Sequence, residues 1–139
     1  MTTDTIKLVQ TSFEKVIPYA DRVAMVFYDQ LITMDPRLQP LLPNDPQLMN
    51  HHRAKLFEMF KEILSSLDNF DRILSILPDL GKRYAAYGVL PRDYEPLGEA
   101  WMETLYEILG EEFTIEHRIA WEEVYEFIMS TMITGAETS

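Results

Sequence analysis

This chain reads as all-α and single-domain. Apolar residues recur at helical spacing through nearly the whole of it, and no run alternates apolar with polar residues as a half-buried strand would. Prolines at 18, 36, 40, 43, 46 and 91 punctuate the periodic runs. With 139 residues, 47% of them hydrophobic, the chain has the length of one domain and enough apolar side chain to build a core.

In chain order, Ile6, Val9, Phe13 and Val16 mark one face of a first helix, with Asp4 as cap and Pro18 as stop. A second helix carries Val23, Phe27 and Leu31 and stops near Asp35-Pro36, where Pro36 suits the first turn of a short third helix reaching Leu42. Pro40, Pro43 and Pro46 turn the chain through a corner. A long helix follows from about Gln47 to Ser66, with Leu48, His52, Leu56, Met59 and Ile63 on one side. Asp68 or Asn69 caps the next helix, which holds Ile73, Leu77, Leu80 and Tyr84 and is kinked or restarted at Pro78. Gly88 suits a helix end with positive φ. Pro91 opens another helix, with Leu97, Trp101, Leu105 and Ile108 facing inward and Gly110 ending it. Thr114 caps the last helix, which runs through Ile119, Trp121, Val124, Ile128 and Met132. Six to eight helices around one core are expected.

The formal net charge is -11, and Lys and Arg are scattered rather than clustered on a face. Binding to nucleic acid through counterion release is not expected, nor is attraction to an anionic membrane. The chain has no cysteine, so disulfides, thiol chemistry and thiolate metal sites are excluded. The first residues lack a basic region followed by an apolar run, and no apolar stretch is long enough to span a bilayer. A cytoplasmic location is the expectation.

The most informative stretch is Leu80-Gly81-Lys82-Arg83-Tyr84-Ala85-Ala86-Tyr87-Gly88-Val89, followed by Leu90-Pro91. Upstream lie Val26-Phe27-Tyr28-Asp29, Asp35-Pro36-Arg37-Leu38 and Leu67-Asp68-Asn69-Phe70; downstream lie Tyr94, Trp121 and Tyr125. In their order and spacing these pieces resemble single-domain bacterial globins and the globin domain of flavohaemoglobins, over residues 1–139. The resemblance implies a globin fold and a haem b pocket. It puts Tyr84 where the family's iron-ligating proximal histidine stands and His52 at the distal site, with Leu56 one turn further on. Leu42 takes the place of a phenylalanine that packs on the porphyrin, and Val89 continues the pocket pattern. Tyr28 matches a tyrosine that points at the iron-bound ligand; Tyr94 matches one in a hydrogen-bonded network behind the proximal residue, whose glutamate is replaced near Ala136. The chain ends where a reductase domain would begin, so nitric oxide dioxygenase activity is expected only if a separate protein supplies electrons.

Each of these side chains has a plainer reading. A phenol has an ordinary pKa of about 10, so phenolate is scarce at neutral pH unless a ferric ion draws the proton off; Tyr84 is otherwise an amphipathic core residue. Phenolate favours ferric over ferrous iron, which argues against oxygen storage. Arg83 points about a quarter turn away from Tyr84 and is a poor counter-ion for it. His52 is an axial ligand from the opposite side, a hydrogen-bonding residue over a bound diatomic, or a structural histidine, while neighbouring His51 points away to solvent or the corner. Tyr28, Tyr94, Trp101 and Trp121 also suit a core, and the methionines at 25, 49, 59, 102, 129 and 132 read as core filling.

Other chemistry finds little support. The three histidines form no i,i+4 pair and there is no Glu-x-x-His, which argues against zinc and di-iron sites. Glu99, Glu103 and Glu107, like Glu122 and Glu126, read as solvated faces. No glycine-rich turn cradles phosphate, and a bilin would need cysteine. The leading expectation is an atypical haem b globin, ligated by Tyr84 or His52, for ligand sensing or for peroxidase-like or nitric oxide chemistry. Its partners would be a diatomic ligand or peroxide, with a homodimer or protein partner also compatible. The rival is a haem-free globin serving as a regulatory or protein-interaction module, its pocket filled by side chains or an apolar ligand.

Overall fold

The computed structural model describes residues 1–41 and 45–137, save the side chains at 41, 46, 49, 50, 52, 53 and 56. Among the described residues the chain forms six α-helices: α1 (Thr3–Val16), α2 (Ala20–Met34), α3 (Pro46–Ser65), α4 (Phe70–Ala86), α5 (Tyr94–Leu109) and α6 (Ile115–Glu137). Short 3-10 turns occupy Ile17–Tyr19, Pro36–Leu41, Pro91–Asp93 and Gly110–Glu112. The result is a single all-α domain, as the periodicity requires.

The helix ends follow local chemistry. Thr2, rather than Asp4, caps α1: its hydroxyl accepts from the Thr5 amide at 3.1 Å, and Asp4 sits in the first turn, where the helix dipole favours a carboxylate. Asp45 accepts from the Gln47 amide at 2.8 Å, and Pro46 starts α3. Asn69, of the two residues that could have served, caps α4 through the Arg72 amide at 3.2 Å. At the far end of α4, Gly88 takes φ 99°, its amide donates to Ala85 O at 3.0 Å and the Val89 amide donates to Tyr84 O at 3.0 Å. This paired closure needs a residue tolerant of left-handed backbone, which glycine is. Thr114 caps α6 as expected: its hydroxyl accepts from the His117 amide at 3.3 Å, and the His117 ring accepts from the Thr114 amide at 3.3 Å.

Pro78 does not restart α4, which runs unbroken through it. Packing holds the helix there. Pro78 lies against Gly135 of α6 so closely that a Cβ on the glycine would meet Pro78 Cα at 2.4 Å. One turn on, a Cβ on Gly81 would meet the Met132 carbonyl oxygen at 1.9 Å. α4 therefore rides backbone-to-backbone on α6.

The opposite wall rests on an aromatic layer. Trp101 of α5 stacks on Phe60 of α3 with centroids 5.3 Å apart and meets Trp121 of α6 edge-on at 5.6 Å. Phe13 of α1 stacks on Phe57 of α3 at 5.4 Å. The buried Trp121 indole N–H donates to Ser12 Oγ at 2.8 Å, which satisfies both polar groups inside the core. α3 is thus seated on α1 and α5, and α4 on α6, leaving the two helices facing each other across a gap.

Three inward placements fail. Leu48 (59% exposed), Ile119 (60%) and Met25 (55%) lie in solvent. Leu48 sits in the opening turns of α3 beside the Pro-rich corner, and Ile119 is two residues, about 200° of helix rotation, from the buried Trp121.

Candidate functional site

The gap between α3 and α4 is a cleft of about 1710 Å³. α4 supplies Leu80, Arg83 and Tyr84 to it, and α3 supplies Lys55, Glu58, Met59 and Glu62. Tyr28 and Leu31 of α2 and Leu97 of α5 close its inner end, and Leu38 and Val89 complete the apolar wall. Tyr87, 77% exposed, stands at the mouth with His51, also exposed. The inside is apolar with phenolic hydroxyls; the rim is charged.

Tyr84 lies one turn beyond Gly81, so the close seat of α4 on α6 fixes where this ring stands. Its side chain is partly buried, and its hydroxyl donates to Met59 Sδ across the cleft at 3.4 Å. Burial pushes its phenol far above the ordinary value, and the neighbouring phenols of Tyr94, Tyr28 and Tyr87 push the same way. Arg83 lines the same cleft but is not among the groups that act on this phenol, as its quarter-turn offset implies.

Tyr28 is buried on α2, its ring 5.7 Å from that of Phe27. Tyr94 is buried at the start of α5, and its carbonyl accepts a hydrogen bond from the Tyr125 hydroxyl of α6. Burial raises the phenols of Tyr94 and Tyr125 as well. The fold therefore gathers Tyr28, Tyr84, Tyr94 and Tyr125 near one another behind and beside the cleft, and burial holds the last three in the neutral form at ordinary pH. Trp101 and Trp121 belong to the core and not to the cleft wall.

Of the residues expected at the site, Tyr28, Tyr84 and Val89 line the cleft, and Tyr94 stands behind it. Leu42 and the side chains of His52 and Leu56 lie outside the described residues. The residue undervalued in the sequence is Met59. Its place on the face of His52 and Leu56 was legible from spacing, but its contact with Tyr84 depends on how α3 and α4 approach each other. Lys55, Lys61 and Arg83 line the cleft beside Glu14, Glu58, Glu62, Asp68 and Asp79, so its rim carries both signs; among the described residues these three cations form no ion pair. No group of three or more metal-ligating side chains (His, Asp, Glu) is assembled among the described residues, so a site for a bare metal ion is unsupported there. The arrangement suits a large, mainly apolar ligand with a polar edge, approached from inside by a phenolic hydroxyl.

Sequence comparison agrees with this architecture. A sequence model of the globin family matches residues 39–132. A neuroglobin of Tetraodon nigroviridis is 24% identical over 123 residues, covering 80% of this chain and 77% of that protein. A flavohemoprotein of Vibrio cholerae serotype O1 is 20% identical over 133 residues, covering 96% of this chain and 34% of that protein. A flavohemoprotein of Bacillus subtilis is 20% identical over 129 residues, covering 93% of this chain and 32% of that protein. The chain thus spans about a third of the length of the flavohemoproteins it matches.

Proposed function

This chain belongs to the globin family, and on that premise we propose that it binds haem b in the cleft between α3 and α4, in the ferric state, with a phenol in the proximal position. The observation that carries the reading is the Tyr84 hydroxyl, which projects from α4 into a cleft of about 1710 Å³ walled by Leu31, Leu38, Leu80, Val89 and Leu97. Ligand sites commonly span 300–1000 Å³, so space does not limit a tetrapyrrole here. The apolar walls suit its faces, and Lys55 and Arg83, set among the acids of the rim, are the groups that would meet its carboxylates. The residues present therefore fit the group in volume, polarity and donor type.

Bound haem supplies an iron that takes small diatomic ligands or peroxide. The chain itself would do the rest. Tyr84 would give up its proton to solvent and hold the iron through its oxygen, against the upward push of burial. His52 of α3 would hold the iron in place of Tyr84, or would donate a hydrogen bond to the bound small ligand. Tyr28 would present a hydroxyl to the ligand side, and the apolar walls would exclude water; Leu42 and Leu56, expected at this pocket from register, lie outside the described side chains. Tyr94, tied through its carbonyl to Tyr125, would hold the region behind Tyr84. Ligand sensing, or peroxide or nitric oxide chemistry, fits a ferric phenolate site better than oxygen storage does.

The rival reading, a haem-free regulatory globin, draws on the same contact: Tyr84 already has a partner in Met59. A hemin titration separates the two. One equivalent of pigment with a sharp Soret band supports the haem protein. Broad, non-saturating absorbance supports the haem-free module and directs the search to protein partners.

A further inference from the structure

We propose that the hydrogen bond from Tyr84 to Met59 is a latch joining α3 and α4 across the cleft, and that haem enters only when the latch opens. The inference rests on the haem reading and concerns how that site is filled. The donor belongs to α4 and the acceptor to α3, with oxygen and sulfur 3.4 Å apart. A flat ring in contact with atoms on both faces needs two contact distances, about 7 Å in all. The present separation is about half of that, so no ring plane passes between Tyr84 and Met59 while they touch.

The rest of the fold leaves the latch free to move. α4 is fixed to α6 by the Gly81 and Gly135 contacts, and α3 to the core by Phe57 and Phe60, so the last turn of α4, beyond those contacts, can part from α3 without unseating either helix. A thioether is a weak acceptor on a side chain with three rotatable bonds, and can swing aside at low cost. Tyr84 lies in the last turn of α4, immediately before the Gly88 closure and the exposed Tyr87 and Leu90. A segment with few buried contacts opens more readily than a core helix does. Tyr84 thus exchanges partners: the sulfur holds its hydroxyl while the cleft is closed, and the incoming group takes it once the cleft is open.

The test is Met59→Leu, which keeps the side-chain volume and removes the acceptor. Loss of one such bond corresponds to hemin association about two- to tenfold faster by stopped-flow absorbance. The chain has no cysteine, so Glu58→Cys with Tyr87→Cys gives a unique pair of spin-label sites, one on α3 and one at the end of α4. The inter-label distance distribution of the hemin-free protein should broaden toward longer distances with Met59→Leu and stay unchanged with Met25→Leu, a methionine in solvent. Unchanged distances with Met59→Leu overturn the latch, as does an unchanged association rate in a protein that binds hemin. If neither protein takes up hemin, the haem reading falls, and with it the gating of haem; a broadened distribution then establishes only that the contact holds the walls together.

Discussion

In the proposed haem reading Tyr84 puts a phenol in the place of the proximal imidazole, and its surroundings do nothing to ease ionisation. Burial and three neighbouring phenols all raise its pKa, so a ferric ion would have to supply the full drive for phenolate. Tyr84→His should convert a ferric phenolate spectrum into a histidine-ligated one and ease reduction to the ferrous state, checked by absorbance and spectroelectrochemistry. If Tyr84→Phe leaves the spectrum of the loaded protein unaltered, the axial role passes to His52. Tyr125 allows a separate test without pigment. Its phenol is raised by burial, with its hydroxyl held by the Tyr94 carbonyl. The folded state therefore keeps a proton that the unfolded chain releases near the ordinary tyrosine pKa of about 10. This stabilisation is fully present below that pH and is lost as pH climbs toward the folded-state value. Melting temperature should fall steeply above about pH 10, and Tyr125→Phe should flatten that fall while lowering stability at neutral pH by about 1 kcal/mol through the lost hydrogen bond.

Among the helices, α4 carries the most consequence, because its position sets the width of the cleft. Gly81 and Gly135 allow it to rest on the backbone of α6. In Gly81→Ala the new methyl would lie 1.9 Å from a backbone oxygen, which cannot swing aside as a side chain could. A loss of about 2–3 kcal/mol is expected from such overpacking, read by chemical denaturation, with α4 pushed off α6 toward α3. Asn69→Ala, which removes only the cap, should cost about 1 kcal/mol. A Gly81→Ala protein that melts like the parent would show that α4 does not sit so deep. The caps at Asn69 and Thr114, the closure at Gly88 and the stops at Pro18 and Gly110 were legible because each is written in a few neighbouring residues. The tolerance of Pro78 and the value of Gly81 were not. Periodicity records which face of a helix is apolar, and says nothing of how closely two backbones approach. For the same reason Tyr28, Tyr84 and Val89 could be placed at one pocket from register, while the sulfur facing Tyr84 could not. Met59 looks like any other core methionine until α3 and α4 are both in place.

The whole molecule carries a net charge of -11. Apart from Arg37–Asp35, the ion pairs among the described residues, such as Arg72–Glu62 at 3.1 Å and Arg118–Glu122 at 3.0 Å, lie at the surface, where each contributes about 0–1 kcal/mol and pairing stabilises little. The unbalanced acids therefore dominate. Folding draws a chain of this length from a radius of gyration of about 39 Å to about 14 Å, which brings the surplus negative charges closer together. At about 10 mM salt the screening length is about 30 Å, so these charges repel across the full width of the folded protein; near 1 M it is about 3 Å, and only adjacent charges interact. Screening should then relieve the folded state more than the expanded one. Melting temperature in sodium chloride at pH 7 should rise by several degrees between these limits, most of it in the first few hundred millimolar. A lysine placed in the acidic stripe of α5, as in Glu103→Lys, should raise the low-salt melting temperature and shrink the salt response in proportion to the two charges removed. A melting temperature that falls with added salt would mean that the surface pairs outweigh the repulsion and that the acidic faces are not a strain on this fold.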